Sequence, residues 1–320
     1  MRRIAAFTDV LRSAVARRGA ALMAVCNVTP DSFSDGGLYL DAARARARVD
    51  ELVEEGADII DIGGESTRPG APAVPAATQI ERVLPVLQYA VTRACVSVDT
   101  TSPEVARVCL EAGASIVNDV SCLRDPELAS VVARFEAVLV LMHARGTQAE
   151  MRGFGAYPDG AYGDVVHDVL VEWDAAARRA LALGVLEEGL VMDPGLGFAK
   201  NARHSFELLR RTREVVAGTP YPVLVGASRK SFLRIADEKA WAQERIGASV
   251  AAALYAARAG AKLLRVHDIV PTRQAIDLYR HLDASGTSPP RALPESATRL
   301  PFGEPFVPGA TGEGGGPAGA

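Results

Sequence analysis

Ten polar side chains, each just beyond or at the end of a short apolar run, carry most of the chemistry this sequence offers: Asn27, Thr67, Arg68, Asp99, Asn118, His143, Asp193, Lys230, Arg265 and His267. They divide into two sets. Asp99, Asn118, Asp193 and Lys230 combine carboxylates, an amide and an ammonium. Such a set suits a flat heterocycle with amino donors and a carbonyl acceptor, because a carboxylate takes two parallel N–H bonds while a lysine meets the carbonyl. One such aspartate alone is most often a structural ion-pair partner. Four such groups after four different runs point to a site. Arg68, Arg265 and His267, with Asn27 and Thr67, form the second set. Guanidinium forks and an imidazole suit a phosphate or diphosphate, and the amide oxygen of Asn27 suits a Mg²⁺ that also takes phosphate oxygens. Arg265-Val-His267 puts its two polar residues on one face of a strand, since strand side chains alternate. Two polar, glycine-rich segments, 28–37 and 63–70, read as covers that close on a substrate with glycines as hinges. Within them Phe33 and Pro69 offer apolar contacts to a second, aromatic substrate. No Ser/His/Asp or Cys/His set demands a covalent nucleophile.

Eight apolar runs position these residues: 21–26, 59–62, 95–98, 115–117, 137–142, 190–192, 222–225 and 262–266. Between them, 41–55, 78–92, 103–112, 126–135, 163–184, 205–217 and 244–260 carry apolar residues at a helical period. Several helices close on a glycine, as Gly56, Gly113, Gly184 and Gly260 show. Continuous β-branched runs alternating with helices indicate buried parallel strands. An open doubly wound sheet would also satisfy that alternation. The count of eight, and polar residues after every strand rather than at one switch point, favour a (β/α)8 TIM barrel of class α/β, in one domain over 21–283. Residues 1–20 read as a basic leader or a helix capping the barrel's bottom. Residues 284–320, rich in Pro, Gly and Ser, read as a disordered tail.

Composition limits the partners. The 320 residues carry 35 basic and 39 acidic side chains, a formal net charge of −4, with a pI of about 5.8. Bulk attraction to nucleic acid or to an anionic membrane is therefore not expected. With 48% hydrophobic and 23% charged residues and a mean hydropathy of +0.10, the composition is that of a well-cored globular protein. Cys26, Cys95, Cys109 and Cys122 form no CxxC pair, and the histidines lack zinc-ligand spacing. The thiols are read as reduced and the location as cytoplasmic. Asp9, Arg12, Arg17 and Arg18 interrupt any export signal after Met1-Arg2-Arg3.

The strings themselves are specific. Asn27-Val-Thr-Pro-Asp-Ser-Phe-Ser-Asp-Gly-Gly37, Gly63-Gly-Glu-Ser-Thr-Arg-Pro-Gly70, Ser97-Val-Asp-Thr100, Val117-Asn-Asp119, Met142-His-Ala-Arg-Gly-Thr147, Asp193-Pro-Gly-Leu-Gly-Phe198, Gly226-Ala-Ser-Arg-Lys-Ser231 and Arg265-Val-His-Asp268 together closely resemble the dihydropteroate synthase family, in order from about 21 to 281. That resemblance implies a barrel joining 6-hydroxymethyl-7,8-dihydropterin diphosphate to p-aminobenzoate, with release of pyrophosphate and 7,8-dihydropteroate, by a dissociative substitution. It further implies that Asp99, Asn118, Asp193 and Lys230 hold the pterin, and that Thr67, Arg68, Arg265 and His267 hold the diphosphate. Asn27 would ligate Mg²⁺. Phe33, Pro69, Phe198, Lys230 and Ser231 would line the p-aminobenzoate pocket, where sulfonamides compete in this family. A homodimer is what the family suggests. Three residues depart from its common pattern: Cys26, Ala144 and Ala199. A pterin-binding methyltransferase barrel would share the Asp and Asn contacts but has no use for Arg265-Val-His267. A non-catalytic pterin-binding relative would be expected to have lost parts of the loop strings.

Overall fold

The computed structural model describes residues 2–28, 38–65, 74–146 and 157–284, with 38–42 and 284 described by backbone alone. It divides into two units, Met1–Tyr279 and Arg280–Ala320. Of the second, only 280–284 are described, and they are helical. The larger unit alternates strand and helix. Its elements are α1 (Arg2–Arg18), β1 (Ala21–Asn27), α2 (Leu38–Glu55), β2 (Ile59–Gly63), α3 (Ala76–Ala90), β3 (Cys95–Asp99), α4 (Pro103–Glu111), β4 (Ile116–Asp119), α5 (Pro126–Arg134) and β5 (Val138–Met142). They continue with α6 (Val165–Ala182), β6 (Leu190–Asp193), α7 (Ala202–Arg210), α8 (Thr212–Ala217), β7 (Leu224–Val225), α9 (Ile246–Arg258) and β8 (Leu263–Val266), and the chain ends its described part in α10 (Ile269–Ala284), of which residues up to Tyr279 belong to this unit.

All pairings are parallel, in the order β6-β5-β4-β3-β2-β1-β8-β7. A parallel bridge between Met192 and Val223 brings the two ends together, so the sheet nearly closes into a (β/α)8 barrel. Local chemistry starts the helices where the fold needs them. Ser102 caps α4 and Asp125 caps α5, each accepting a backbone N–H and each followed by a proline that already has helical φ. At the far ends, Gly56, Gly113, Gly184 and Gly260 have φ between +94° and +111°, a left-handed turn that releases the chain into the next strand. The periodic stretch 205–217 proves to be two helices. Arg211 leaves the helical conformation (φ −100°, ψ 23°), and its guanidinium joins Asp164 to Glu214.

Strand alternation sorts the side chains into two cores. Outward residues such as Leu22, Ile60, Val98 and Leu141 pack beneath the helices. Inward residues at the strands' N-terminal ends, including Met23, Ile59, Ile116, Val138, Leu224 and Leu263, form an apolar plug that also buries Ile4, Phe7 and Ala14 of α1. Three of the five arginines of α1 help to hold it there. Arg3 donates to the carbonyls of Leu110 (2.9 Å), Ala114 (3.0 Å) and Phe135 (3.2 Å), at the C-terminal ends of α4 and α5. Arg17 and Arg18 pair with Asp58 at 2.6 and 2.7 Å. Replacing Phe7 by Ala is expected to cost about 3–5 kcal/mol of stability by urea denaturation. Because Phe7 sits at the end opposite the strand C-termini, substrate KM values should stay at the wild-type level.

Candidate active site

The same alternation that turns Met23, Ile59, Ile116 and Leu263 inward at the base turns Asn27, Asp61, Asn118 and Arg265 inward nearer the top. The C-terminal mouth of the barrel is thus lined with polar groups above an apolar plug. At its centre stands Arg265. Its Nε donates to Asp61 Oδ2 and its Nη2 to Asp99 Oδ2, both at 2.7 Å. Asn118 Nδ2 donates to the same Asp61 oxygen at 3.2 Å. Burial opposes the charge of Arg265, but the two carboxylates outweigh it and keep the guanidinium protonated. Burial pushes the Asp99 carboxyl up to about 7 against the pull of Arg265, with Asp61 and Glu65 adding to the rise.

Acceptors are left over. Asp61 Oδ1, Asp99 Oδ1 and Asn118 Oδ1 are buried and have no donor among the described residues. Buried polar atoms are nearly always paired, so this group is built for a ligand that brings N–H donors. On the other side of the mouth, the Asp193 carboxyl is raised by burial and lowered by Lys230, and its Oδ1 accepts from Gly195 N at 2.7 Å. Gly195 is obligatory here. Its φ is +69°, and a Cβ would lie 2.0 Å from the carbonyl oxygen of His143. Lys230 donates to the Leu196 carbonyl, and its ammonium lies 4.7 Å from the centroid of the Phe198 ring. Burial lowers Lys230 to about 8, with Asp193 opposing that shift.

His267 Nδ1 meets Ser228 Oγ at 3.0 Å, and its backbone N–H donates to the same oxygen at 3.2 Å. Burial, with Arg265 and Arg229 nearby, lowers its pKa to about 3 and leaves the imidazole neutral. Behind it, Arg229 holds Asp268 with two bonds of 3.0 and 2.6 Å. This pair ties the turn after β7 to the end of β8. Phe198 packs with Val120, Met142 and Ala144. Ser231 begins the short 3-10 turn Ser231–Ile235, and its Oγ is a further buried group with no partner among the described residues.

The structure therefore brings together Asn27, Asp99, Asn118, Asp193, Lys230, Arg265 and His267 at one mouth, with Phe198 and Ser231 beside Lys230. Phe33, Thr67, Arg68 and Pro69 lie outside the described residues, as does most of the two glycine-rich segments. Gly64, at the described edge of the second, is glycine for packing reasons, since a Cβ would come within 2.8 Å of Val83 and 3.0 Å of the Gln79 carbonyl. His143 does not join the mouth. Met142 before it faces inward, so His143 turns outward, fully buried against Glu172 and Lys200. Asp61 was missing from the candidates, although a carboxylate inside Ile-Ile-Asp-Ile62, at inward parity with Gly63, is the signal that finds it. Of the three departures, Cys26 lies in the outer core with its thiol pushed up to about 12 by burial. Ala144 borders Phe198. Ala199 has φ +50°, a left-handed position where glycine is the less strained choice.

A Cβ on Gly63 would lie 3.4 Å from Asn27 Oδ1, so the absent side chain leaves the approach to that amide oxygen open. Among the described residues, no three His, Cys, Asp or Glu side chains cluster as a metal cage. One neutral oxygen fits a Mg²⁺ that takes its other ligands from a diphosphate and water.

The chain is similar to known proteins over most of its length. Residues 23–267 match the family described as "pterin binding enzyme". A dihydropteroate synthase from Streptococcus pyogenes is 39% identical over 82% of this chain and 96% of its own. A probable bifunctional folylpolyglutamate synthase/dihydropteroate synthase from Halobacterium salinarum is 46% identical over 78% of this chain, which corresponds to 30% of that longer protein. Among solved structures, the Xanthomonas albilineans dihydropteroate synthase with 4-aminobenzoic acid superposes with a TM-score of 0.76 at 40% identity, over 83% of this chain and 93% of the other. The bridge at the centre of the mouth yields a direct test. Asp61→Ala, which removes one partner of a buried pair, should cost about 3–5 kcal/mol in urea denaturation.

Proposed function

The chain belongs to the pterin-binding enzymes and within them is a dihydropteroate synthase, and on that premise we propose how its own residues divide the reaction. The enzyme joins 6-hydroxymethyl-7,8-dihydropterin diphosphate to p-aminobenzoate and releases pyrophosphate and 7,8-dihydropteroate. The observation that carries the assignment of roles is the set of unpaired buried acceptors beside the Arg265 bridge. The amino and ring N–H groups of a dihydropterin are the donors such a set requires. Asp99, Asn118 and Asp193 accept from them, and the Lys230 ammonium meets the ring carbonyl. Asp61 acts one step behind, fixing Arg265 and Asn118 in place.

Thr67, Arg68, Arg265 and His267 hold the diphosphate. A neutral His267 donates through one ring nitrogen, and an arriving dianion would favour its protonated form. Asn27 holds Mg²⁺, which when bound neutralises charge on the diphosphate oxygens. The bond from the pterin methylene carbon to the diphosphate oxygen breaks first, and its electron pair leaves with pyrophosphate. The carbon is left as a cation delocalised into the ring. Arg68, Arg265 and His267 stabilise the charge growing on the leaving group. The p-aminobenzoate nitrogen then forms the new C–N bond with its lone pair and gives up one proton to pyrophosphate or water. An aniline is a weak nucleophile, so a cation already formed and a mouth shielded from water both favour it. Phe33, Pro69, Phe198, Lys230 and Ser231 receive the second substrate, its ring against Phe198 and its carboxylate toward Lys230 and Ser231. The protein works as a homodimer in the cytoplasm on this reading. None of its described helices is long and apolar enough to cross a membrane.

Formation of dihydropteroate should require the dihydropterin diphosphate, Mg²⁺ and p-aminobenzoate together. Pterin binding without turnover would instead mark a non-catalytic relative. Asp193→Asn, which puts an NH₂ against a ligand donor, should weaken calorimetric binding of the dihydropterin diphosphate by about 1.5–3 kcal/mol. Deleting residues 285–320, which lie beyond the family match ending at 267, should leave turnover unchanged.

A further inference from the structure

Outside the mouth, between β5, β6 and α6, lies a second cluster of charged side chains that the mechanism does not use. Its centre is Lys200, one of the largest fully buried side chains in the protein. An ammonium is seldom buried without a carboxylate. Among the described residues, Lys200 makes no salt bridge. Its Nζ instead donates to His143 Nδ1 at 2.8 Å, to the Phe198 carbonyl at 3.1 Å and to the His143 carbonyl at 3.4 Å. This pattern assigns the imidazole proton to Nε2, which donates to Glu172 Oε2 at 3.0 Å. Arg145 grips the same carboxylate, and its guanidinium lies 3.8 Å from the centroid of the Tyr162 ring. The Tyr162 hydroxyl donates to the Ala199 carbonyl at 3.0 Å.

The carbonyls of Phe198 and Ala199 are therefore both tied down by this cluster. They belong to a turn whose backbone has little intrinsic preference for its shape. Gly195, Gly197 and Ala199 all have positive φ, of +69°, +81° and +50°. The site hangs from that turn. Gly195 N bonds Asp193, the Leu196 carbonyl accepts from Lys230, and the Phe198 ring faces the Lys230 ammonium.

We propose that Lys200, anchored through His143 to Glu172, is a positioning residue that sets Phe198 against Lys230 and so governs binding of p-aminobenzoate. The proposal rests on the assignment of Phe198 and Lys230 to that substrate made above. Burial lowers Lys200 to about 7, with Asp193 opposing it and Lys230 reinforcing it, while Cys122 and Arg145 act more weakly. Burial and Lys200 together lower His143 to about 4. The proton between the two thus resides on Lys200, as the donor pattern requires.

Steady-state kinetics on Lys200→Met, Glu172→Ala, the double variant and Phe198→Ala test this. Lys200→Met is expected to raise KM for p-aminobenzoate about tenfold or more, with KM for the dihydropterin diphosphate unchanged. Glu172→Ala, at the solvent-exposed end of the relay, should raise the same KM by less, and the double variant should fall short of the product of the two effects. Lys200→Arg, which keeps the charge and donors, should recover part of the loss. A folded Lys200→Met with an unchanged p-aminobenzoate KM, equal rises in both KM values, or effects that multiply fully would each overturn the proposal. Should Lys200→Met fail to fold, Glu172→Ala decides alone, and no rise in the p-aminobenzoate KM would overturn it. Phe198→Ala separates the two layers of argument. If it leaves that KM unchanged, the pocket assignment fails; if it raises KM while Lys200→Met does not, only the positioning role fails.

Discussion

One guanidinium, held in the throat of the barrel, makes the rest of the site feasible. Asp61, Asp99 and Asp193 enter a buried space from β2, β3 and β6. Carboxylates so placed would repel one another and take up protons. Arg265 bonds two of them at 2.7 Å and supplies the compensating charge. Because it bonds only one oxygen of each, Asp61 Oδ1 and Asp99 Oδ1 are left without a partner among the described residues. The pairing is thus a scaffold for recognition more than a source of stability, in keeping with the narrow margin by which buried ion pairs repay their desolvation.

That scaffold depends on the division of the barrel along its axis. The lower interior is packed with Met, Ile, Val and Leu side chains and sealed by α1, whose arginines are engaged by helix-end carbonyls and Asp58. The floor of the site is thereby a closed apolar layer. On β1, β2, β4 and β8 the upper interior is polar at the same parity, as Asn27, Asp61, Asn118 and Arg265 show, so a period of two residues carries these strands from plug to mouth. Rigidity below and unpaired acceptors above are two consequences of one alternation.

The turn after β6 shows a different kind of control. Its left-handed residues and the close approach of Gly195 to the His143 carbonyl leave no slack for side chains in the wall. Its geometry is therefore set from outside, by the buried lysine and the imidazole–carboxylate relay behind it. Residues outside the mouth can still determine how two within it, Phe198 and Lys230, face each other.

Much of this was readable in the chain itself, for definite reasons. Strand parity and β-branched runs specify a buried parallel barrel, and residues at the strand ends, Asp99, Asn118, Asp193 and Arg265 among them, are carried to the mouth by connectivity alone. Other features were not readable. Asp61 carries an inward-parity signal inside an apolar run, but only packing shows that its partner there is Arg265, 204 residues away in sequence. His143 follows a strand as the true mouth residues do, yet one step of parity turns it to the outer side. Lys200 has no pattern of its own, and its burial, its imidazole partner and its grip on Phe198 arise only once β5, β6 and α6 converge. The sequence by itself determined the fold and the chemical types at the mouth, since both follow from local periodicity. Which charges pair, which acceptors stay free and which buried groups brace the site was decided by the tertiary structure, because those depend on distances between segments remote in the chain.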